Sequence, residues 1–278
     1  MARDRNPQAE QMGDESMARN LAHQAQAIWP QEQHLFDRYV LPAAPRILDL
    51  GCGTGEITRR LAQRYRHATL LGIDILEGNL ARARRDSVAL AGRVRYAQGD
   101  AFALACGDGE FDLVACRHMS QAVPDFPQVV AEITRVLKPG GWLHLLSEDY
   151  AMLHFPAPEP QAFDPDRFWT GDVLGFLRGI GCDGRIGRHT PALLAQAGYA
   201  DIAMDYVTVD TLRVPRATFA GILKAWRDGY VDPLAAASGR DAAAVRADFE
   251  RMIAAIETPP QYVAWRVPVA SARKPAAA

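Results

Sequence analysis

Between Arg46 and Leu146, short apolar runs alternate with segments whose apolar residues recur every three to four positions. Arg46–Leu50, Thr69–Ile73, Val94–Tyr96, Phe111–Cys116 and Trp142–Leu146 are too short for helices and predict buried strands. Between them, Ile57, Leu61 and Tyr65 fall at i, i+4 and i+8 of one helix, and Glu77–Leu90 predicts a second. Pro127–Leu137 predicts a third, with Val129, Val130, Ile133 and Val136 on one side and Pro139-Gly140-Gly141 as its stop. The βαβ alternation predicts a parallel sheet covered by helices on both faces.

Outside this stretch the pattern loosens. Glu15–Tyr39 reads as one or two helices with Met17, Leu21, Ile28, Leu35 and Phe36 as apolar positions and Pro30 as a candidate stop. Ala151–Arg188, rich in Pro, Gly and aromatics, reads as a long insertion over the sheet's edge. Thr190-Pro191 opens a short helix in cap-then-proline order, and Gly198 closes it. Ala203–Val209 predicts a strand. Two helices follow, carrying Phe219, Ile222 and Trp226, then Val245, Phe249, Met252 and Ile253, before a last strand at Tyr262–Val267. The expectation is one domain over residues 15–270, between flexible ends at 1–14 and 271–278. Helices at 15–45 and additions at 151–190 and 212–260 would lie over the site.

Composition narrows the function classes. The chain has 278 residues, a formal net charge of −2 and a pI near 6.4, so there is no overall basic field for a nucleic acid backbone. No apolar run approaches the roughly 18–20 residues that cross a bilayer, and the first residues lack a signal-peptide core, which predicts a cytoplasmic protein with no membrane role. The four cysteines (Cys52, Cys106, Cys116, Cys182) form no CxxC pair, so neither a disulfide framework nor a metal site is expected. The arginines at 59, 60, 64 and 66 and at 82, 84 and 85 read as solvated helix faces.

The sharpest signal is Ile47-Leu48-Asp49-Leu50-Gly51-Cys52-Gly53-Thr54-Gly55, a strand that runs through three alternate glycines straight into a helix. Glycine lets backbone turn sharply and lie bare against a ligand. The dinucleotide fingerprint G-x-G-x-x-G fails here, because Glu56 or Thr58 stands where the last glycine belongs. A phosphate-binding P-loop fails as well, since Gly55 is followed by Glu56 rather than Lys. A cationic or zwitterionic ligand such as S-adenosylmethionine tolerates both Asp49 and Glu56. Asp74 ends the second strand, where a ribose diol could be held, and Gly99-Asp100-Ala101 follows the third, where an adenine amino group could donate.

With these residues in place, the chain resembles the class I S-adenosylmethionine-dependent methyltransferases, in particular the small-molecule enzymes of the ubiquinone/menaquinone-methylating group. The resemblance rests on LDLGCGTG (Leu48–Gly55), GID (Gly72–Asp74), GDA (Gly99–Ala101), FDLVACRH (Phe111–His118) and RVLKPGGWLHLL (Arg135–Leu146). It implies an α/β, Rossmann-like three-layer sandwich with a seven-stranded, mostly parallel sheet whose last strand is antiparallel. It also implies that Gly51, Cys52, Gly53 and Gly55 line the methionine portion with Asp49 close by. Asp74 would hold the ribose, Ile75, Asp100 and Ala101 would border the base, and Arg117 would lie near the methionine through its backbone. The long segment 212–260 has no counterpart whose role carries over.

Methyl transfer is an in-line displacement that needs an oriented nucleophile, a dry site and, for some acceptors, a base. His118 follows the fourth strand at the crevice edge and is the candidate base, with a purely structural histidine as the alternative. Glu148, Asp149 and Tyr150 follow the fifth strand and reach the same crevice; a solvated, turn-capping loop is the alternative there. Trp169 in the insertion and Trp29 in the first helices are candidate acceptor contacts, with packing of the lid on the sheet the favoured alternative for the insertion's aromatics. The reaction expected is methyl transfer to O, N or C of a small molecule. Its rivals are another use of the same cofactor, a non-catalytic cofactor-binding protein and, less favoured, an RNA methyltransferase. A homodimer through the inserted helices is the oligomer envisaged.

Overall fold

The computed structural model describes residues 4–156 and 163–276. Five strands come first: β1 (Arg46–Leu50), β2 (Thr69–Asp74), β3 (Val94–Gln98), β4 (Phe111–Arg117) and β5 (Leu137–Leu146). A two-residue β6 (Leu153–His154), β7 (Ala200–Asp210) and β8 (Ala264–Arg273) complete an eight-stranded sheet of order β3-β2-β1-β4-β5-β8, with β7 along the far edge of β8 and β6 beside its first residues. β1 to β5 pair in parallel, and β8 runs antiparallel to its three neighbours. The expected seven strands with an antiparallel last one are present, and β6 is an addition.

The helices are α1 (Ala9–Gly13), α2 (Glu15–Glu32), α3 (Glu56–Arg64), α4 (Glu77–Asp86), α5 (Phe126–Val136), α6 (Pro165–Arg167), α7 (Leu174–Gly179), α8 (Ile186–Gln196), α9 (Arg216–Ser238) and α10 (Ala242–Glu257). None of the described helices is long and apolar enough to cross a membrane. On one face of the sheet, α5 and α8 bury Val129, Ile133 and Leu194 against β1, β4 and β5. On the other, Leu61 and Ala62 of α3 pack with Phe36, Ile47 and Leu70. A third core joins α2, α9 and α10 to β7 and β8 through Ile28, Phe219, Ile222, Phe249 and Trp265. Apolar burial on both faces explains why β1 and β4 read as continuous hydrophobic runs.

Several boundaries differ from the expected ones. Pro30 does not stop α2, which continues to Glu32 before a 3₁₀ turn at Gln33–Arg38. α8 begins at Ile186, four residues before Thr190, so Pro191 lies inside it, and the Thr190 hydroxyl donates back to Ile186 O at 2.9 Å. Pro139-Gly140-Gly141 sits inside β5 as a bulge, where the pairing with β4 jumps from Phe111↔Leu137 to Leu113↔Trp142. β8 runs six residues past Val267, into the segment expected to be a flexible tail. Pro268 is tolerated there because its carbonyl, which accepts Ser147 N at 3.1 Å, points into the gap between β5 and β6, where no ladder N–H is needed. At the other end, residues 9–13 form α1 within the segment expected to be flexible.

Candidate functional site

The carboxyl ends of β1, β2, β3 and β4 open on a crevice of about 780 Å³ lined by Gly51, Gly53, Asp74, Ile75, Ala101 and Met119 among others. Gly51, Gly53 and Gly55 hold φ of +73°, +51° and +76°, conformations that disfavour any side chain. Gly51 N and Cys52 N donate to Ile73 O at 2.8 and 3.0 Å, fastening the first loop to β2. Asp74 fastens it a second time. Its Oδ2 accepts Gly53 N at 2.8 Å and its Oδ1 accepts Leu76 N at 2.9 Å, while burial raises its pKa. Gly55 instead caps α3 close to Tyr96, where a Cβ would come within 2.5 Å of the phenol oxygen.

Asp49 lies beneath the turn, in a smaller recess with Cys52, Gln24 and Arg117. Its Oδ2 accepts the Thr58 hydroxyl at 2.5 Å. Burial pushes its carboxyl up to about 6, against the Thr58 hydrogen bond and the Arg117 charge. The Arg117 side chain is drawn into a buried network: Arg117 Nε donates to Glu32 Oε1 at 2.6 Å, His144 Nε2 meets the same oxygen at 2.9 Å, and Tyr39 OH meets His144 Nδ1 at 2.7 Å. Burial alone would raise Glu32, but Arg117 and His144 overcome it and hold the carboxyl at about 2. Arg117 Nη2 remains buried with no hydrogen-bond partner among the described residues.

His118 follows β4 with φ +55°, a left-handed conformation rare for a non-glycine residue. Its N–H donates to Leu146 O at 3.0 Å and its carbonyl accepts Gln121 Nε2 at 2.8 Å, which fixes the backbone. Nδ1 is hydrogen-bonded to Glu148 Oε1, and both side chains are buried. A carboxylate only accepts, so Nδ1 carries the proton and Nε2 presents its lone pair. Among the described residues that Nε2 has no partner.

A second chamber of about 640 Å³ adjoins the crevice, and His118, Gln8, Met12, Leu21 and Ala122 line both. Its floor is aromatic. Tyr150 and Trp169 stack with centroids 5.8 Å apart and planes 8° apart, and Trp226 stands edge-on to both. Phe176, Tyr230 and Phe249 complete the aromatic wall, so residues from both inserted segments contribute. α2 supplies Met17, Asn20, Leu21 and Gln24 at i, i+3, i+4 and i+7, one helical face that closes the site from above.

The structure therefore brings together Asp49, Gly51, Cys52, Gly53, Asp74, Ile75, Ala101, Arg117, His118, Glu148, Tyr150 and Trp169 around two adjoining spaces and the recess beneath them. Four expected contacts fall elsewhere, Gly55 at the cap of α3 being the first. Asp100 turns back on its own loop, accepting Phe102 N at 2.9 Å with Arg5 at 3.9 Å, and Gly99 and Ala101 line the crevice in its place. Asp149 is fully buried outside both spaces, accepting Ala151 N at 3.1 Å and pairing with Arg188. Trp29 packs against Phe36, 5.6 Å between centroids, on the α3 side of the sheet. Residues missed in the sequence include Leu21, Gln24, Trp226, Tyr230 and Phe249. Only the α2 stripe carried a signal, since two of its four positions are amides where a core face would be apolar.

The sheet order and the glycine crevice at its carboxyl edge define a Rossmann-like, class I methyltransferase fold. Residues 48–145 match the family model described as Methyltransferase domain. Among similar curated proteins, a demethylmenaquinone methyltransferase of Thermus thermophilus is 37% identical over 139 residues, covering 50% of this chain and 60% of that protein. A trans-aconitate 2-methyltransferase of Deinococcus radiodurans is 40% identical over 106 residues, covering 37% of this chain and 39% of that protein. The matched part thus spans between 39% and 60% of these two relatives' lengths. Among solved structures, the [4+2]-cyclase SpnF is similar with a TM-score of 0.58 and 25% identity, covering 91% of this chain and 85% of that one.

Proposed function

We propose that this protein is an S-adenosylmethionine-dependent methyltransferase that methylates a small-molecule acceptor, with His118 and Glu148 as the proton-accepting pair. The observation that carries this reading is the unpartnered Nε2 of His118 on the wall common to the glycine crevice and the aromatic chamber. A base placed there reaches an acceptor hydroxyl at the boundary where the two ligands meet.

The crevice residues suit the cofactor. Bare backbone at Gly51 and Gly53 leaves room for the amino-acid part, and the buried Asp49 carboxyl favours a cation. Asp74 keeps lone pairs for the ribose hydroxyls beside Ile75 and Ala101, while Arg117 Nη2 is free to take a carboxylate. Bound there, the cofactor supplies an electrophilic methyl carbon on a positively charged sulfur. His118 accepts the acceptor's proton at Nε2, and Glu148 stabilises the imidazolium and holds the ring's orientation. Leu21, Met12 and Ala122 exclude water from the boundary. A cytoplasmic location and an acceptor other than nucleic acid fit the near-neutral charge and belong to the same reading.

The test is a screen with methyl-labelled cofactor across hydroxylated aromatics, amines and carboxylates, reading both labelled product and S-adenosylhomocysteine. Label transfer that is lost in His118→Ala is the expected result. Cofactor binding with no label transfer to any class would overturn the transferase reading. Release of methylthioadenosine instead would point to non-methyl chemistry.

A further inference from the structure

The aromatic chamber holds more negative charge and more free acceptors than taking a proton from a hydroxyl requires. Glu148 lines it and is 1% exposed. Its Oε1 is taken by His118 Nδ1, and its Oε2 has no partner among the described residues. A buried carboxylate oxygen beside a cavity is costly until a cation meets it. Among the described residues the lining holds no lysine or arginine to do so. The arginines of neighbouring elements are paired elsewhere: Arg117 with Glu32, Arg188 with Asp149, Arg240 with Asp172 and Asp248.

The uncharged groups make the same demand. Asn20 Oδ1, Gln24 Oε1 and Gln121 Oε1 are buried in the lining without partners, against Trp169 Nε1 as an unpartnered donor. The Gln121 amide is oriented by its own Nε2, which donates to His118 O at 2.8 Å. Acceptors in excess of donors suit a ligand that brings N–H groups. The walls suit a cation as well. Tyr150 and Trp169 stack, Trp226 stands edge-on to both, and ring faces attract organic cations, tryptophan most strongly. Burial first, and the Glu148 charge second, raise the Tyr150 and Tyr230 phenols, so both stay neutral.

The place of Glu148 decides what such a cation does. Nδ1 and Nε2 diverge across the imidazole, so a group on Glu148 and a group on Nε2 occupy different positions. An amine nitrogen held at the carboxylate stays protonated, with no lone pair to methylate. We infer that the chamber takes an organic ammonium group as an anchor, its N–H donating to Glu148 Oε2 among the Trp169 and Trp226 rings, while a separate hydroxyl of the same molecule lies at His118 Nε2. In the transfer the hydroxyl proton passes to Nε2, the O–CH3 bond forms as the CH3–S bond breaks, and the ammonium keeps its N–H bonds. Anions and uncharged molecules of the same shape are selected against. This deepens the reading of the chamber as the acceptor site and rests on it.

Calorimetry on the full chain with 2-phenylethylammonium, 2-phenylethanol and 3-phenylpropanoate, each with and without S-adenosylhomocysteine, compares a cation, a neutral molecule and an anion on one stem. The ammonium is expected to bind at least about ten-fold more tightly than the other two. Glu148→Gln should cost it about ten-fold while leaving 2-phenylethanol within about three-fold and S-adenosylhomocysteine within about two-fold, a split that general loss of structure would not give. Trp169→Leu reads the same site without touching the carboxylate and should cost the ammonium about five-fold. Equal binding of the three, tighter binding of the alcohol or the anion, or an ammonium affinity unmoved in both variants overturns the inference. Competition between the ammonium and S-adenosylhomocysteine would place the cation in the glycine crevice and overturn it too. With methyl-labelled cofactor, 2-phenylethylammonium should give no labelled product, and an N-methyl product would make the nitrogen the acceptor rather than the anchor. If S-adenosylhomocysteine fails to bind while the ammonium shows the stated selectivity, the cofactor reading falls and the chamber's preference stands.

Discussion

The Asp74 carboxylate accepts the Gly53 backbone N–H at 2.8 Å, so the acid that ends β2 also shapes the glycine turn that follows β1. One side chain thereby holds two walls of the crevice. Replacing it with alanine removes the partner of Gly53 N and Leu76 N as well as a ribose contact. We expect Asp74→Ala to weaken S-adenosylhomocysteine binding by about 10- to 100-fold, the effect of losing charge-assisted hydrogen bonds worth ~1.5–3 kcal/mol. Isothermal titration on the folded variant checks this, and unchanged affinity would remove Asp74 from the site.

The dyad makes a separate prediction. His118→Ala should lower kcat for a hydroxyl acceptor by about 10² to 10⁴, the range for a lost general base. Glu148→Gln keeps the ring's neighbour but removes the charge that stabilises the imidazolium, so a smaller loss is expected. Cofactor affinity should be retained in both. A His118→Ala enzyme as fast as the parent would make the histidine a structural residue.

Asp49 links cofactor binding to pH. Its folded carboxyl is raised to about 6 by burial, so the stability it contributes is present below its ordinary value of 3.8 and lost as pH rises through about 6. A bound cation reverses the preference by favouring the ionised form. S-adenosylmethionine should therefore bind about ten-fold more weakly at pH 5 than at pH 7, because roughly a tenth of the free carboxyls are ionised at the lower pH. Titrations across that window should show the slope, and Asp49→Asn should flatten it. A slope unchanged in Asp49→Asn would assign it to another group.

Backbone conformation separates two glycines. Gly53 sits at φ +51° with Leu21 Cδ1 only 2.6 Å from where a Cβ would lie. Gly53→Ala should cost about 1–3 kcal/mol for the left-handed conformation and weaken cofactor binding as Leu21 is displaced. Gly78, exposed in α4 with nothing within 4 Å, should gain up to ~1 kcal/mol on substitution by alanine. Denaturant midpoints of the two variants moving in the same direction would contradict this account.

Glu32 is 0% exposed and reaches from α2 to β4 and β5 through Arg117 and His144. Glu32→Ala leaves Arg117 buried without its carboxylate and should cost about 3–5 kcal/mol. Its folded carboxyl is depressed to about 2, so its contribution is present above its ordinary 4.5 and fades as pH falls towards 2. Acid unfolding should show that loss in the parent, and Glu32→Gln should remove much of it. Identical acid profiles would mean the network adds nothing.

The parallel half of the sheet and its crevice were legible because their causes are local. Residues 47–50 and 113–116 are buried on both faces and so, Asp49 apart, are apolar, and the turn at 51–55 needs glycine wherever φ is positive. Asp74 was legible for the same reason, since a strand's last residue points into the crevice whatever packs above it. Boundaries that depend on a neighbour were not. Pro268 reads as a strand end until the gap between β5 and β6 makes its missing N–H harmless, and Pro191 reads as a helix start although α8 begins earlier.

By itself, then, the chain of residues determined the βα alternation, the glycine turn and the carboxylates around it, because each follows from backbone conformation or from burial along one element. Tertiary structure alone decided that His118 meets Glu148, that Asp149 is spent on Arg188, and that Trp169 and Trp226 share a wall. Those residues lie tens of positions apart, on strand ends and on inserted helices with no periodicity in common. The pairing of β4 with β5 sets His118 beside Glu148, and the packing of α8 and α9 brings in Arg188 and Trp226.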